Sequence, residues 1–249
     1  MTYKKIIKLA NENKYEFVHI KETSSTMKDV KNFLNINNKN CIILSDTQTA
    51  GKGQRGNFWH SPKGNVYCSI SFDNFLKLNE QFLYSVLISV TIKETLDNFN
   101  AKNIKFKWPN DILHNKKKFS GMIFETYNYK NIHSYIVSGF GINIFSSPKI
   151  NEYEITHANA FCKIDDINKF LLVLFNKLFI NLNELINNKK KRLINVYRKS
   201  LLFKNSNIDI VFPNKSIKSG KFININPDGS LMLEINGKTE NIYNGSIKI

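Results

Sequence analysis

Four stretches of this chain combine residue types that can do chemistry. The first, TQTAGKGQRGNFWHSPKGN over Thr47–Asn65, sets Gly51, Gly53, Gly56 and Gly64 among polar and basic residues between two apolar runs. Glycines let successive backbone N–H groups turn toward one point, and such a concavity binds an anion. Lys52 and Arg55 add positive charge to the same loop. The same composition also suits an ordinary mobile surface loop. The second stretch, KWPNDIL, places Asn110 and Asp111 directly after Pro109, whose ring restrains the chain at a corner. It reads either as a projecting amide and carboxylate pair or as a structural Asx turn. In the third, KKFSGMIFET, Lys118 stands at the mouth of an apolar strand. A lysine there is a solvated edge guard or, beside a dry pocket, an ammonium able to hold a carboxylate and a phosphate together. The fourth, GFGINI over Gly139–Ile144, ends a strand with glycines and an amide, which suggests close approach of a ligand to the backbone.

Several chemistries are excluded. The glycine loop is no Walker loop, because no GK[ST] follows at the required distance, and no GxGxxG loop, because a strand rather than a helix comes next. His19, His60, His114, His133 and His157 show no metal-ligand spacing, and no Ser-His-Asp pattern can be defended. Cys41, Cys68 and Cys162 are far apart and unpaired in pattern, as in a reducing compartment.

The elements that must position these residues alternate between helical and strand periods, which argues against an all-α protein or a pure β-sandwich. A helix is expected from Ser24 or Ser25, with Ser and Thr as caps, to about Leu34. Strands are expected at Cys41–Ser45 and Asn65–Phe72. A core helix follows over Glu80–Asn98, then strands at Ile104–Lys107, Phe119–Glu125 and Ile132–Ile144, and a long amphipathic helix over Ile167–Ile186. Beyond the basic segment ending near Ser200 the period shortens. Strands at Ile208–Phe212, Ile217–Asn224, Leu231–Ile235 and Glu240–Tyr243, separated by PNKS, NPDG and NG, suggest a small SH3-type barrel. The boundary falls near Lys204, giving domains 1–204 and 205–249.

At 249 residues the chain can bury a core without staples. Its start has no continuous apolar stretch of about 7 to 15 residues, so no secretory signal is expected. The run Phe170–Ile180, broken by Asn176 and Lys177, falls short of the roughly 18 residues of a membrane span. A cytoplasmic protein is expected. The formal charge of +16 raises nucleic-acid binding, but the lysines are dispersed, and the runs Lys116–Lys118 and Lys189–Arg192 read as solvated faces.

Taken in order, SST, GKGQRGNFW, KWPND, KFSG and GFGIN resemble the biotin protein ligases over roughly residues 15–200, and the tail ending NGSIKI resembles their small C-terminal domain. Unrelated chains rarely hold five such motifs in this order. The resemblance implies an α+β fold, with a mixed central sheet flanked by helices, and an enzyme that joins biotin to ATP and passes it to a lysine of a biotin carboxyl carrier protein, as in acetyl-CoA carboxylase. With nothing upstream of about residue 15 for a helix-turn-helix, it implies the short form without repressor activity.

It further implies roles for residues. Ser25, Thr26 and Gln48 would hold the biotin head group, with Met27 standing where a polar neighbour often occurs. The Gly51–Gly53 backbone and Lys52 would cover the biotin carboxylate and the α-phosphate, and Trp59 would wall the valeryl pocket. Lys118 would touch both anions. Gly53, Gln54, Arg55, Lys107, Asn110 and Asp111 would serve ATP, Asp111 also its magnesium, and Asn143 would lie near the triphosphate. Lys118, Asp111 and Lys52 would carry the catalysis. Family members commonly have arginine where this chain has Gln54, and here the arginine comes one place later, at Arg55. A lipoate or octanoate ligase of the same fold is the nearest rival, and a basic RNA- or DNA-binding protein the more distant one. The oligomeric state, monomer or homodimer, is left open, with a strand edge near residues 132–144 as a candidate for pairing.

Overall fold

The computed structural model describes residues 3–130, 132–148 and 154–248. Met1, Thr2 and Ile249, the ends of the leading stretch and of the tail motif, lie outside the described residues. The chain runs α1 (Lys4–Glu12), β1 (Glu16–Thr23), α2 (Thr26–Asn37), β2 (Cys41–Gln48), β3 (Val66–Asp73), α3 (Phe82–Asp97), β4 (Ile104–Lys107), β5 (Asp111–His114), β6 (Lys117–Tyr129) and β7 (His133–Ile142). It continues through α4 (Ile167–Ile186), α5 (Lys191–Lys199), β8 (Asn207–Val211), β9 (Ile217–Ile225), β10 (Leu231–Ile235), β11 (Lys238–Ile242) and β12 (Ser246–Ile247).

Strands β1 to β7 form one sheet in the order β1-β2-β3-β7-β6-β5-β4, parallel between β1 and β2 and antiparallel elsewhere, so the expected mixed sheet is found. Alternation along the strands divides its residues between two faces. On one face Ile42, Leu44, Ile136 and Ile142 join the main core with α1, α3 and α4. On the other, Cys41, Ile43, Tyr135 and Val137 pack under Met27, Val30 and Leu34 of α2. Helix α3 is buried nearly all round, because the sheet covers one side while α4 and α5 cover others. Helices and sheet thus enclose the core and leave one stretch of the α2 face uncovered.

Two expectations change. Strand β7 lies between β3 and β6, so residues 132–144 offer no edge for pairing; the sheet ends at β1 and β4. Its glycines and β-branched residues belong to a central strand, buried on both faces, which reads locally like an edge run. Strands β8 to β12 form an antiparallel sheet in the order β11-β10-β9-β8-β12, in which β11 and β12 are not neighbours, so closure into a barrel is not shown.

Candidate functional site

The uncovered stretch is made by glycines in register. Tyr67 of β3 pairs with Gly141 of β7, Gly141 with Gly121 of β6, Gly121 with Asp111 of β5, and Asp111 with Lys107 of β4. One row across five strands therefore runs from an aromatic through two bare backbones to a carboxylate and an ammonium. The next row places Ser69 beside Gly139 and Gly139 beside Ile123. Lys118 and Gly121 are three residues apart and would face opposite ways on a regular strand. The register shifts between Ile112 and Leu113, so that Phe119 is an extra residue, and this bulge brings Lys118 onto the cavity face. Its Nζ sits 2.7 Å from Asp111 Oδ1.

The space above these rows is a cavity of about 620 Å3. Its walls include Ser25, Thr26, Gln48, Lys52, Gly53, Gln54, Arg55, Trp59, Lys107, Asn110, Asp111 and Lys118. Gly51 and Asn143 stand apart from that lining. Gly51 holds the stem of the loop: its carbonyl accepts from Trp59 N at 2.9 Å, and a Cβ there would meet Trp59 O at 2.5 Å. Asn143 is buried and tied to β6 and to residues 156–158, since its N donates to Phe119 O, its O accepts from Ala158 N, and Nδ2 donates to Thr156 O. Asn143 Oδ1 is buried with no hydrogen-bond partner.

At the closed end, Ser25 adopts the extended backbone of an N-cap residue, but its side chain makes no capping bond. Thr26 takes the polar role there. Gln48 Oε1 accepts from Thr26 N at 3.0 Å and from Thr26 Oγ1 at 3.1 Å, and Thr26 Oγ1 lies 2.7 Å from Ser69 Oγ. On its other side Gln48 Nε2 donates to Ser61 Oγ, which donates to Trp59 O, both at 3.1 Å. Ser61 and Ser69 complete a polar chain from the closed end to the glycine loop. Neither was expected; Ser69 is hidden in an alternating strand, where a buried serine looks like a spacer.

The glycine loop folds as a short hairpin, with bridges Gln48–Ser61 and Lys52–Phe58 and a turn at Gln54–Gly56. It carries the Trp59 indole down onto the glycine row. A Cβ built on Gly141 would meet three indole atoms at 2.4 to 2.6 Å, and one on Gly121 would meet the indole at 3.1 Å. Lys118 Nζ stands 5.3 Å from the indole centroid, within reach of a cation–π contact. Trp59 Nε1 is buried with no hydrogen-bond partner. Met27 lies over Gly139, where a Cβ would meet its Cγ and Sδ at 2.7 and 2.8 Å.

Cations dominate the open end: Lys52, Arg55, Lys107, Lys116, Lys118 and Lys248 face Asp111 and Glu154. Burial pushes the Lys107 ammonium below the ordinary lysine range and the nearby Lys118 charge lowers it further, while Asp111 opposes both. The arrangement has a hydrogen-bonding end, an apolar middle and a cationic mouth. It suits a long molecule with a polar head and an anionic tail that meets a second anion.

The model of the biotin/lipoate A/B protein ligase family matches residues 19–143. The bifunctional ligase/repressor BirA of Bacillus subtilis is 31% identical over 127 residues, which are 50% of this chain and 39% of that protein. BirA of Escherichia coli is 26% identical over 215 residues, covering 83% of this chain and 65% of that protein. The chain thus spans less than two thirds of the length of these relatives. A biotin protein ligase from Aquifex aeolicus, solved in complex with biotin and ATP, superposes with a TM-score of 0.75 at 22% identity over 93% of this chain and 97% of its own, a likeness of fold. Since the family model takes in just over half of the residues, including the hairpin, KWPND and the bulged strand, this chain belongs to the biotin/lipoate A/B protein ligase family.

Proposed function

We propose that the chain is a biotin protein ligase, which activates biotin with ATP and transfers it to a lysine of a biotin carboxyl carrier domain, such as that of acetyl-CoA carboxylase. One observation carries this reading: a single cavity joins the polar group of Ser25, Thr26 and Gln48 to the hairpin and to Lys118. The ureido ring of biotin both donates and accepts hydrogen bonds, and so do Gln48, Thr26 and Ser69 at the closed end. A lipoyl or octanoyl chain has no such groups and could exchange no hydrogen bonds with the polar closed end, so it gains nothing from it. Proteins of similar fold support the reading, since the Aquifex aeolicus ligase was solved with biotin and ATP, and the Helicobacter pylori protein with biotinylated ATP.

The first step joins two anions. The biotin carboxylate attacks the α-phosphorus of ATP, an O–P bond forms, and the bond to pyrophosphate breaks. Lys118, Lys52 and the Gly51–Gly53 backbone N–H groups would offset the repulsion, each well-aimed donor being worth roughly 3–4 kcal/mol. Lys107, Asn110, Gln54 and Arg55 would hold the nucleotide. Magnesium keeps several waters and needs only one or two carboxylates beside substrate phosphates, so Asp111 fits as a protein contact, although among the described residues no cluster of three metal-binding side chains exists. When bound, the metal would neutralise charge on the leaving pyrophosphate.

In the second step a neutral amine of the carrier lysine attacks the acyl carbon, AMP departs, and the amine loses a proton. Asp111, on the cavity wall, would take that proton. Positioning supplies much of the rate. The hairpin, with Trp59 seated on the glycine row, would shut water from the mixed anhydride. The three free cysteines suit the expected reducing cytoplasm. Among the described residues no helix is long and apolar enough to cross a membrane. Calorimetry tests the reading: biotin should bind and lipoate should not, and equal binding of both would contradict it.

A further inference from the structure

The hairpin is fastened to a segment 190 residues away. Arg55, at its tip, has a left-handed φ of 57°. Its Nη2 donates to the carbonyl of Gly245 at 2.5 Å. Gly245 has a φ of +130°, and a Cβ there would meet Ile210 Cγ2 at 2.6 Å, so the position admits only glycine without displacement. Directly after it, Ser246 of β12 and Lys248 just beyond that strand stand on the wall of the same cavity. The C-terminal sheet is itself held to the larger unit near this point. Trp108 Nε1 donates to Gly229 O at 2.8 Å, and Arg198 Nη2 donates to Ile225 O at 2.9 Å.

We propose that Arg55 is a positioning residue that clasps the glycine hairpin to the C-terminal sheet, so that closure over the cavity requires both units and β12 forms the second half of the cover. Gln54, the adjacent side chain, lines the same cavity. From its place one residue later, the arginine lines the cavity and also reaches across its mouth to the C-terminal sheet. The chemical consequence rests on the proposed ligase reaction: the clasp sets how long the acyl adenylate is retained.

Hydrogen exchange by mass spectrometry on the ligand-free full chain tests the clasp without any reaction. Arg55→Gln should raise exchange about ten-fold both in residues 51–59 and in residues 245–248, the low end of what a hydrogen bond to a charged group contributes. Arg55→Lys, which keeps the charge and one donor geometry, should restore part of the protection at both places. A rise confined to the hairpin, or no rise at either place, overturns the proposal. In a second arm, Arg55→Gln should release the adenylate about ten-fold faster than the unaltered chain does; an unchanged release rate overturns the retention role. If the unaltered chain forms no adenylate, the ligase reading fails, and the exchange result still decides the clasp.

Discussion

Replacing Gly141 by alanine should lift the cover off the cavity. The added methyl would lie 2.4 Å from Trp59 Cε2 and Nε1 and 2.6 Å from Cζ2, far inside contact distance. Gly141 lies in a central strand paired on both sides, with Tyr67 and Gly121, so its backbone has little room to yield. The rigid indole must move instead. Overpacking of this kind costs about 1–3 kcal/mol, which is roughly a 5- to 150-fold shift of the hairpin toward the open state. The chain has two tryptophans, and Trp108 is buried with its Nε1 bonded to Gly229 O, so a change in emission reports on Trp59. Emission should move to longer wavelength, and trypsin should cut sooner at Lys52 or Arg55. Gly139→Ala provides the contrast, because its methyl would meet the flexible Met27 thioether, which can turn aside. Unchanged emission and unchanged cleavage in Gly141→Ala would refute the idea that bare backbone seats the cover.

Three further outcomes follow from the same geometry. Lys118→Ala should slow adenylate formation by about a hundred-fold or more with the fold intact, since it removes the ammonium shared between two anions; near-normal pyrophosphate release would refute this. Gln54→Arg should slow escape of the adenylate, as the family pattern implies, and stopped-flow traces with unchanged release would count against it. Lys107, held below the ordinary value of 10.5, loses its charge early on alkaline titration, and an incoming polyphosphate should draw a proton back onto it. ATP binding on the alkaline side should therefore take up protons, as calorimetry in buffers of different ionisation enthalpy would show; uptake that persists in Lys107→Met would exclude this lysine as the source.

Much of the fold is legible in local pattern. The helix over Ile167–Ile186 and the strand Leu231–Ile235 match their expected ends, because long apolar stripes and turn residues mark them. Helix α1 is not legible, since only Ile6 and Ala10 are buried within it and its lysines resemble a solvated tail. Strand β5 follows Pro109 so closely that it reads as part of a turn. The candidate site is legible where glycines and charges cluster. Other parts of it depend on packing between distant segments. The bulge at Phe119 decides which way Lys118 points, and no local pattern announces it. Ser69 faces the closed end only because of its place in the alternation of β3, and Ser246 and Lys248 arrive from the far end of the chain. Asn143 stands outside the cavity lining, and its hydrogen bonds to Thr156 and Ala158 come from a segment that no pattern around GFGIN points to.

The most direct test of the account mixes the purified chain with ATP, magnesium, labelled biotin and a biotin carboxyl carrier domain, and follows label on the carrier together with pyrophosphate release. The account predicts ATP-dependent label on one carrier lysine, with one pyrophosphate released for each biotin attached, and loss of both in Lys118→Ala. Pyrophosphate release with lipoate or octanoate but not with biotin, or no label on the carrier from any of them, would contradict it.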